Sequence, residues 1–219
     1  MSEHAFTPAL GRLAPTRFYD RVVAVTRERV WRSLTVAEVA PQPGAVIVDV
    51  GCGTGSLAVL LARAEPRARI VGVDPDPAVL DVARQKGPGI DWRQGMGDAL
   101  AEVVGVGQAD VVVSSLVLHQ CPVPVKRAIL AAMSAVLRPA GRLVIADYGR
   151  QRTRLMRLAF RGVQLADGKA DTQPNADGVL PAMMGDAGFR DVREVHVIPT
   201  VTGSISIYAG AAPAGPRPV

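Results

Sequence analysis

Lysine is nearly missing from this chain: Lys86, Lys126 and Lys169 are the only three among 25 basic residues, and the rest are arginine. Such a bias, alongside many alanines, prolines and glycines, follows coding composition as readily as function. The net charge of +5 therefore points only weakly to acidic partners. Aromatic residues make up only 4%, and no basic stripe interleaves them. That argues against a nucleic-acid stacking surface and leaves Val, Leu, Ala and Ile to fill the core. Two cysteines, Cys52 and Cys121, lack the pair spacing of zinc, dithiol or iron–sulfur sites, so no metal centre is expected. No apolar run approaches the ~20 residues that span a bilayer, and Met1–Leu13 lacks the apolar stretch of a secretory signal. The expectation is a soluble, cytoplasmic protein.

A length of 219 residues, 48% of them hydrophobic, suits one large α/β domain over residues 1–219. Residues 1–15 and the Pro-rich 211–219 read as loosely ordered ends. Residues 16–40 read as an N-terminal helical cap, with Phe18, Val22, Val25, Val30 and Leu34 near helical spacing over Phe18–Leu34. From Ala45 onward, strand, turn and helix alternate. Strands are expected at Val46–Val50, Ile70–Asp74, Ile90–Arg93, Val111–Ser114 and Leu143–Ala146, and helices at Leu57–Ala64, Ala78–Lys86 and Val125–Val136. Asp76 and Pro77 form a helix start signal, and Gly87-Pro88-Gly89 a stop. Val192–Ile198 and Ser204–Tyr208, joined by Pro199–Gly203, read as an antiparallel pair. The order implies a doubly wound, Rossmann-like, mainly parallel sheet.

The first strand runs into Gly51-Cys52-Gly53-Thr54-Gly55 and then a helix. So tight a turn needs glycine for positive φ and for close approach of a ligand to backbone, and the helix start offers free N–H groups. Open α/β sheets bind ligands at this end of a central strand. The Gly-x-Gly-x-Gly spacing differs from the dinucleotide fingerprint Gly-x-Gly-x-x-Gly and on its own is a weak signal. Its company strengthens it. Asp74 ends the second strand, where a carboxylate can accept hydrogen bonds from both ribose hydroxyls. Gly97-Asp98-Ala99 follows the third strand, Ser114–His119 closes the fourth, and Leu137–Gly141 leads into a fifth that ends in Asp147-Tyr148.

On these motifs the sequence resembles the class I S-adenosylmethionine-dependent methyltransferases over roughly Phe18 to Ala209. Within that class it is similar to the ubiquinone/menaquinone-biosynthesis C-methyltransferases and their uncharacterised relatives. The resemblance implies a seven-stranded sheet, mostly parallel with an antiparallel last strand, and S-adenosyl-L-methionine as cofactor. It also implies residue roles. Gly51, Gly53 and Gly55 would lie against the methionine part, with Thr54 and Asp49 at its polar end. Asp74 would hold the ribose, Asp98 and Ala99 would meet the adenine, Ser115 would line the pocket, and Tyr19 would cover it. Ala140 stands where glycine is common.

A sulfonium methyl is already activated, so the protein's main task is to align an acceptor at near-attack distance. His119 is the best candidate base if the acceptor carries a proton, and Tyr148 a candidate hydrogen-bond donor; a structural role is open for both, as for Asp147. Arg150, Arg154, Arg157 and Arg161 share one helical face, next to an apolar row of Leu155, Leu158, Gly162 and Leu165. The ordinary reading is a solvated basic face over a buried stripe; a lid, an anionic-acceptor contact or an anionic membrane surface are the others. Asp167–Gly178 is polar and turn-rich, placed where it would shape the acceptor pocket. The expected activity is methyl transfer to a small-molecule acceptor, hydrophobic or aromatic, without nucleic acid or stable membrane insertion. The alternatives are an NAD-dependent oxidoreductase and a non-catalytic adenosylmethionine-binding protein. A nucleic-acid methyltransferase is disfavoured, because no Asn-Pro-Pro-Tyr or Asp-Pro-Pro-Tyr signature follows the fourth strand.

Overall fold

A computed structural model describes residues 27–213. Seven strands form one sheet: β1 (Val46–Val50), β2 (Arg69–Asp74), β3 (Asp91–Gln94), β4 (Ala109–Ser115), β5 (Leu137–Tyr148), β6 (Arg190–Thr200) and β7 (Gly203–Ala211). Their spatial order is β3-β2-β1-β4-β5-β7-β6. β1 to β5 pair in parallel, while β7 runs antiparallel to both β5 and β6. The sheet is the expected doubly wound, seven-stranded one with an antiparallel last strand.

The helices are α1 (Glu28–Val39), α2 (Ser56–Ala64), α3 (Pro77–Lys86), α4 (Leu100–Val104), α5 (Val123–Val136), α6 (Arg154–Asp167), α7 (Lys169–Asp177) and α8 (Leu180–Asp186). Strict alternation along the central strands sends side chains to two cores. On one face Val48, Val50, Val112 and Ile145 pack with Leu100, Leu130, Met133 and Met183 from α4, α5 and α8. On the other, Ile47, Val111, Val113 and Val144 pack with Trp31, Leu57, Leu61 and Phe160 from α1, α2 and α6. Burial on both faces explains why these strands read as near-continuous apolar runs.

Capping follows the expected chemistry at α3, where the Asp76 side chain accepts from the Ala78 N–H at 2.8 Å and Pro77 occupies the first turn. Three readings change. The N-terminal helix is described from Glu28 and continues past Leu34 to Val39, ending where Pro41 and Pro43 follow; Tyr19 and residues 16–26 of the cap lie outside the described residues. The stretch read as turn-rich contains α7, with Thr172 and Asn175 buried and the Thr172 hydroxyl donating to Gly168 O at 2.7 Å. Tertiary burial there overrides a turn-like composition. On α6, Phe160 and Val163 are the buried residues, and Leu155, Leu158 and Leu165 face outward, reversing the expected buried stripe. Ala140 adopts φ 64°, a left-handed conformation that costs a non-glycine residue roughly 1–2 kcal/mol.

Candidate active site

The carboxyl ends of β1 to β5 bring the expected residues to one rim of the sheet. Gly51 takes φ 69°, and a Cβ there would come within 2.3 Å of Val117 Cγ2, so glycine lets the loop after β4 close on the loop after β1. Gly53, at φ 52°, is different, because nothing lies within 4 Å of where its Cβ would be. It presents bare backbone to open space, as a ligand-cradling position requires. The third glycine of the motif serves packing. A Cβ on Gly55 would meet Trp92 Cη2 at 2.4 Å, and one on Gly72 would meet the same ring at 2.4 Å. Trp92 is thus a wedge from β3, held by its indole N–H donating to Gly87 O at 2.9 Å. Thr54 sits on the α3 side of the loop, its hydroxyl accepting from Lys86 Nζ at 2.8 Å.

Asp74 is bound into this loop. Its Oδ2 accepts from the Gly53 N–H at 2.8 Å and its Oδ1 from the Asp76 N–H at 3.0 Å. Burial raises its pKa, and those two N–H groups oppose the rise. Each oxygen keeps acceptor capacity, so the carboxylate can still receive two hydroxyl protons. Asp49 lies deeper, wholly buried, with no hydrogen-bond partner for either oxygen among the described residues. Burial pushes its pKa up to about 7, opposed by the Arg32 guanidinium and the Ala58 N–H and reinforced by Asp74. Arg32 on α1 carries the positive charge at this end. It also pairs with Glu28 at 2.6 Å and stacks on Trp31 with its guanidinium carbon 4.8 Å from the ring centre. The distant placement of α1 in sequence concealed this arginine from motif reasoning.

Asp98 and Ala99 occupy a 3-10 turn spanning Gly97–Ala99, and Ser115 ends β4; all three are half-buried at the rim. An orphaned buried carboxylate, an acid with spare acceptor capacity and an open glycine backbone are the chemistry that an adenosyl amino acid requires.

His119 lies next to this rim in a 3-10 turn, Leu118–Gln120, and is buried. Its Nδ1 is 2.7 Å from Asp147 Oδ1 and its Nε2 3.4 Å from Asp167 Oδ2. Burial lowers its pKa, but the charge and hydrogen bond of Asp147, aided by Asp167, outweigh burial and raise it to about 9. The ring therefore carries its proton at neutral pH. This arrangement does not suit a free neutral base. Asp147 also accepts from the N–H groups of Leu118 at 2.7 Å and Tyr148 at 2.7 Å, anchoring the turn to β5. Tyr148 packs edge-on against His119, with ring centres 4.9 Å apart, and its hydroxyl bonds Thr202 at 2.8 Å. Burial raises the Tyr148 pKa to about 12, so it stays a neutral hydroxyl. One buried cation escaped sequence reasoning. Lys126 of α5 donates to the carbonyls of Leu118 and, at 2.9 Å, Asp171, tying α7 to the His119 turn.

A seven-stranded sheet in this order, with a glycine loop after β1 and an acid ending β2, defines the class I methyltransferase fold. Residues 47–141 match the protein family described as "Methyltransferase domain". The chain is 28% identical to a ubiquinone/menaquinone biosynthesis C-methyltransferase of Syntrophotalea carbinolica, covering 93% of this chain and 92% of that protein. It is 35% identical to a trans-aconitate 2-methyltransferase of Azoarcus sp. over 60% of this chain, which spans only 51% of that relative. The fold matches the crystal structure of magnesium protoporphyrin IX methyltransferase from Synechocystis PCC 6803 with bound SAH, with TM-score 0.68 and 22% identity over 91% of this chain and 89% of that one. By sequence the chain is similar to methyltransferases, with the methyltransferase-domain match confined to residues 47–141.

Proposed function

We propose that this enzyme transfers the methyl group of S-adenosylmethionine to a small hydrophobic or aromatic acceptor bound beside Tyr148. The observation that carries the reading is the 2.8 Å bond from the Gly53 N–H to Asp74, which makes the glycine loop and the ribose acid one rigid unit. In this reading Gly51, Gly53 and the N-terminus of α2 face the methionine part, Asp49 and Arg32 balance its two charges, and Asp74 receives the ribose hydroxyls. Asp98 and Ala99 border the adenine, and Ser115 lines the pocket between cofactor and acceptor. When bound, the cofactor supplies a methyl group on a cationic sulfur whose departure leaves a neutral thioether.

The chain's own contribution is alignment, which can account for up to ~7–11 kcal/mol of barrier lowering. Tyr148 offers a neutral hydroxyl and a ring edge to the acceptor. His119, as an imidazolium between Asp147 and Asp167, is a positioning residue that ties α6 to the rim. Among the relatives, the name of the quinone-pathway C-methyltransferase favours a ring-bearing acceptor, and that of the trans-aconitate 2-methyltransferase a carboxylate.

The test is release of adenosylhomocysteine across phenolic, quinol, carboxylate, amine and thiol acceptors. Turnover with a quinol or phenol is expected. Binding of adenosylhomocysteine with no turnover on any acceptor would favour a non-catalytic binder, and NADH binding without adenosylhomocysteine binding would favour an oxidoreductase.

A further inference from the structure

Helix α6 has two working sides, and methyl transfer uses only the inner one. Inward, Phe160 and Val163 are buried and Asp167 reaches His119. Outward, Leu155 is 75% exposed, Leu158 58% and Leu165 88%. These positions recur at helical spacing, with Gly162 between them, where a Cβ would meet nothing within 4 Å. Single exposed leucines are ordinary on a protein surface, but three in one row on one helix are not.

Charge decides what this row meets. Arg154, Arg157 and Arg161 are exposed on the adjoining face of the same helix. The helix has a single acid, Asp167, and that one is turned inward onto His119. A convex ridge of leucines, shouldered by arginines that pair with no acid among the described residues, complements a surface that is apolar beneath and anionic at its boundary.

We propose that α6 is an interfacial helix that seats the enzyme on an anionic lipid bilayer. The leucines enter the boundary between headgroups and acyl chains, and the arginines lie against lipid phosphates. The inner side of this helix closes on His119 and, through Phe160, on Tyr148, with ring centres 5.1 Å apart. Seating α6 on lipid therefore places the acceptor side of the site next to the bilayer. The proposal stands apart from the methyl-transfer reading, because lipid binding needs neither cofactor nor turnover.

The test is flotation of the full-length protein with vesicles of phosphatidylcholine alone or mixed with phosphatidylglycerol. At ~1 kcal/mol per basic residue, three arginines predict a preference of roughly 100-fold for the anionic vesicles, weakening with salt. The combined Leu155→Ser, Leu158→Ser, Leu165→Ser variant is expected to lose at least ~10-fold of that binding while keeping the wild-type melting temperature, since its changed side chains are exposed. The Arg154→Gln, Arg157→Gln, Arg161→Gln variant is expected to lose the preference for phosphatidylglycerol. Absence of vesicle binding, equal binding to both lipids, or a leucine variant that binds as well as wild type would overturn the proposal. So would a leucine variant that changes only from dimer to monomer, which would assign the ridge to a second copy of this chain.

Discussion

Removing the proton-holding ring at position 119 should change how stability depends on pH, in a direction fixed by its two carboxylate partners. His119 has an ordinary pKa of 6.5 and one of about 9 in the fold, because Asp147 at 2.7 Å and Asp167 at 3.4 Å outweigh the cost of burial. A raised pKa means that folding favours the protonated ring. Its contribution is then complete below about pH 6.5, declines as pH rises, and is gone above about pH 9. At ~1.4 kcal/mol per pH unit, that window is worth roughly 3 kcal/mol. In a chain of this length ~1 kcal/mol moves the melting temperature by about 2–4 °C, so His119 alone accounts for a fall of roughly 6–12 °C. Other groups titrate in the same range, and subtracting a His119→Gln variant removes them. Urea denaturation of both proteins between pH 6 and 9.5 should show the wild-type advantage shrinking by ~3 kcal/mol. Asp167→Asn, which removes one partner, should narrow the window. An advantage that stays constant or grows with pH, or a His119 proton resonance titrating near 6.5, would refute the ion-triad account and restore a neutral base.

Two further outcomes follow from the charges of Arg32 and Lys126. Arg32→Met should weaken adenosylhomocysteine at least ~10-fold while leaving 5′-methylthioadenosine, which lacks the amino-acid end, within about twofold by calorimetry. Equal losses for both ligands would make Arg32 a structural partner of Asp49 only. Lys126→Met leaves the carbonyls of Leu118 and Asp171 without their donor and should destabilise the fold by about 1–3 kcal/mol. Hydrogen exchange should then rise first in α7, and unchanged α7 protection would contradict the tie assigned to Lys126.

Local chemistry made most of the rim legible in the sequence. Burial on both faces wrote β1, β2 and β5 as apolar runs, and the Asp76-Pro77 start was visible because a cap and its helix lie within three residues. Gly51 and Gly53 were readable as a tight turn, whereas the service of Gly55 to Trp92 depends on a strand that pairs only in the folded sheet. The same limit applies to His119. Its type and place at the end of β4 were evident, but the two carboxylates that set its charge arrive from β5 and α6. On α6 periodicity showed two distinct faces but pointed to the leucine row as the buried one, whereas that row is exposed. Phe160 and Asp167 decide that, through contacts with Tyr148 and His119. α7 was hidden because Lys126, Thr172 and Asn175 hold it by burial and side-chain bonds that outweigh its turn-like composition.

The glycine loop and the β2 acid are claimed to hold one and the same ligand, and calorimetric titration of adenosylhomocysteine into wild type and Asp74→Ala tests that directly. A hydrogen bond to a charged group contributes ~1.5–3 kcal/mol, so losing the ribose contacts should raise Kd at least tenfold. A Kd unchanged by the substitution would contradict the claim.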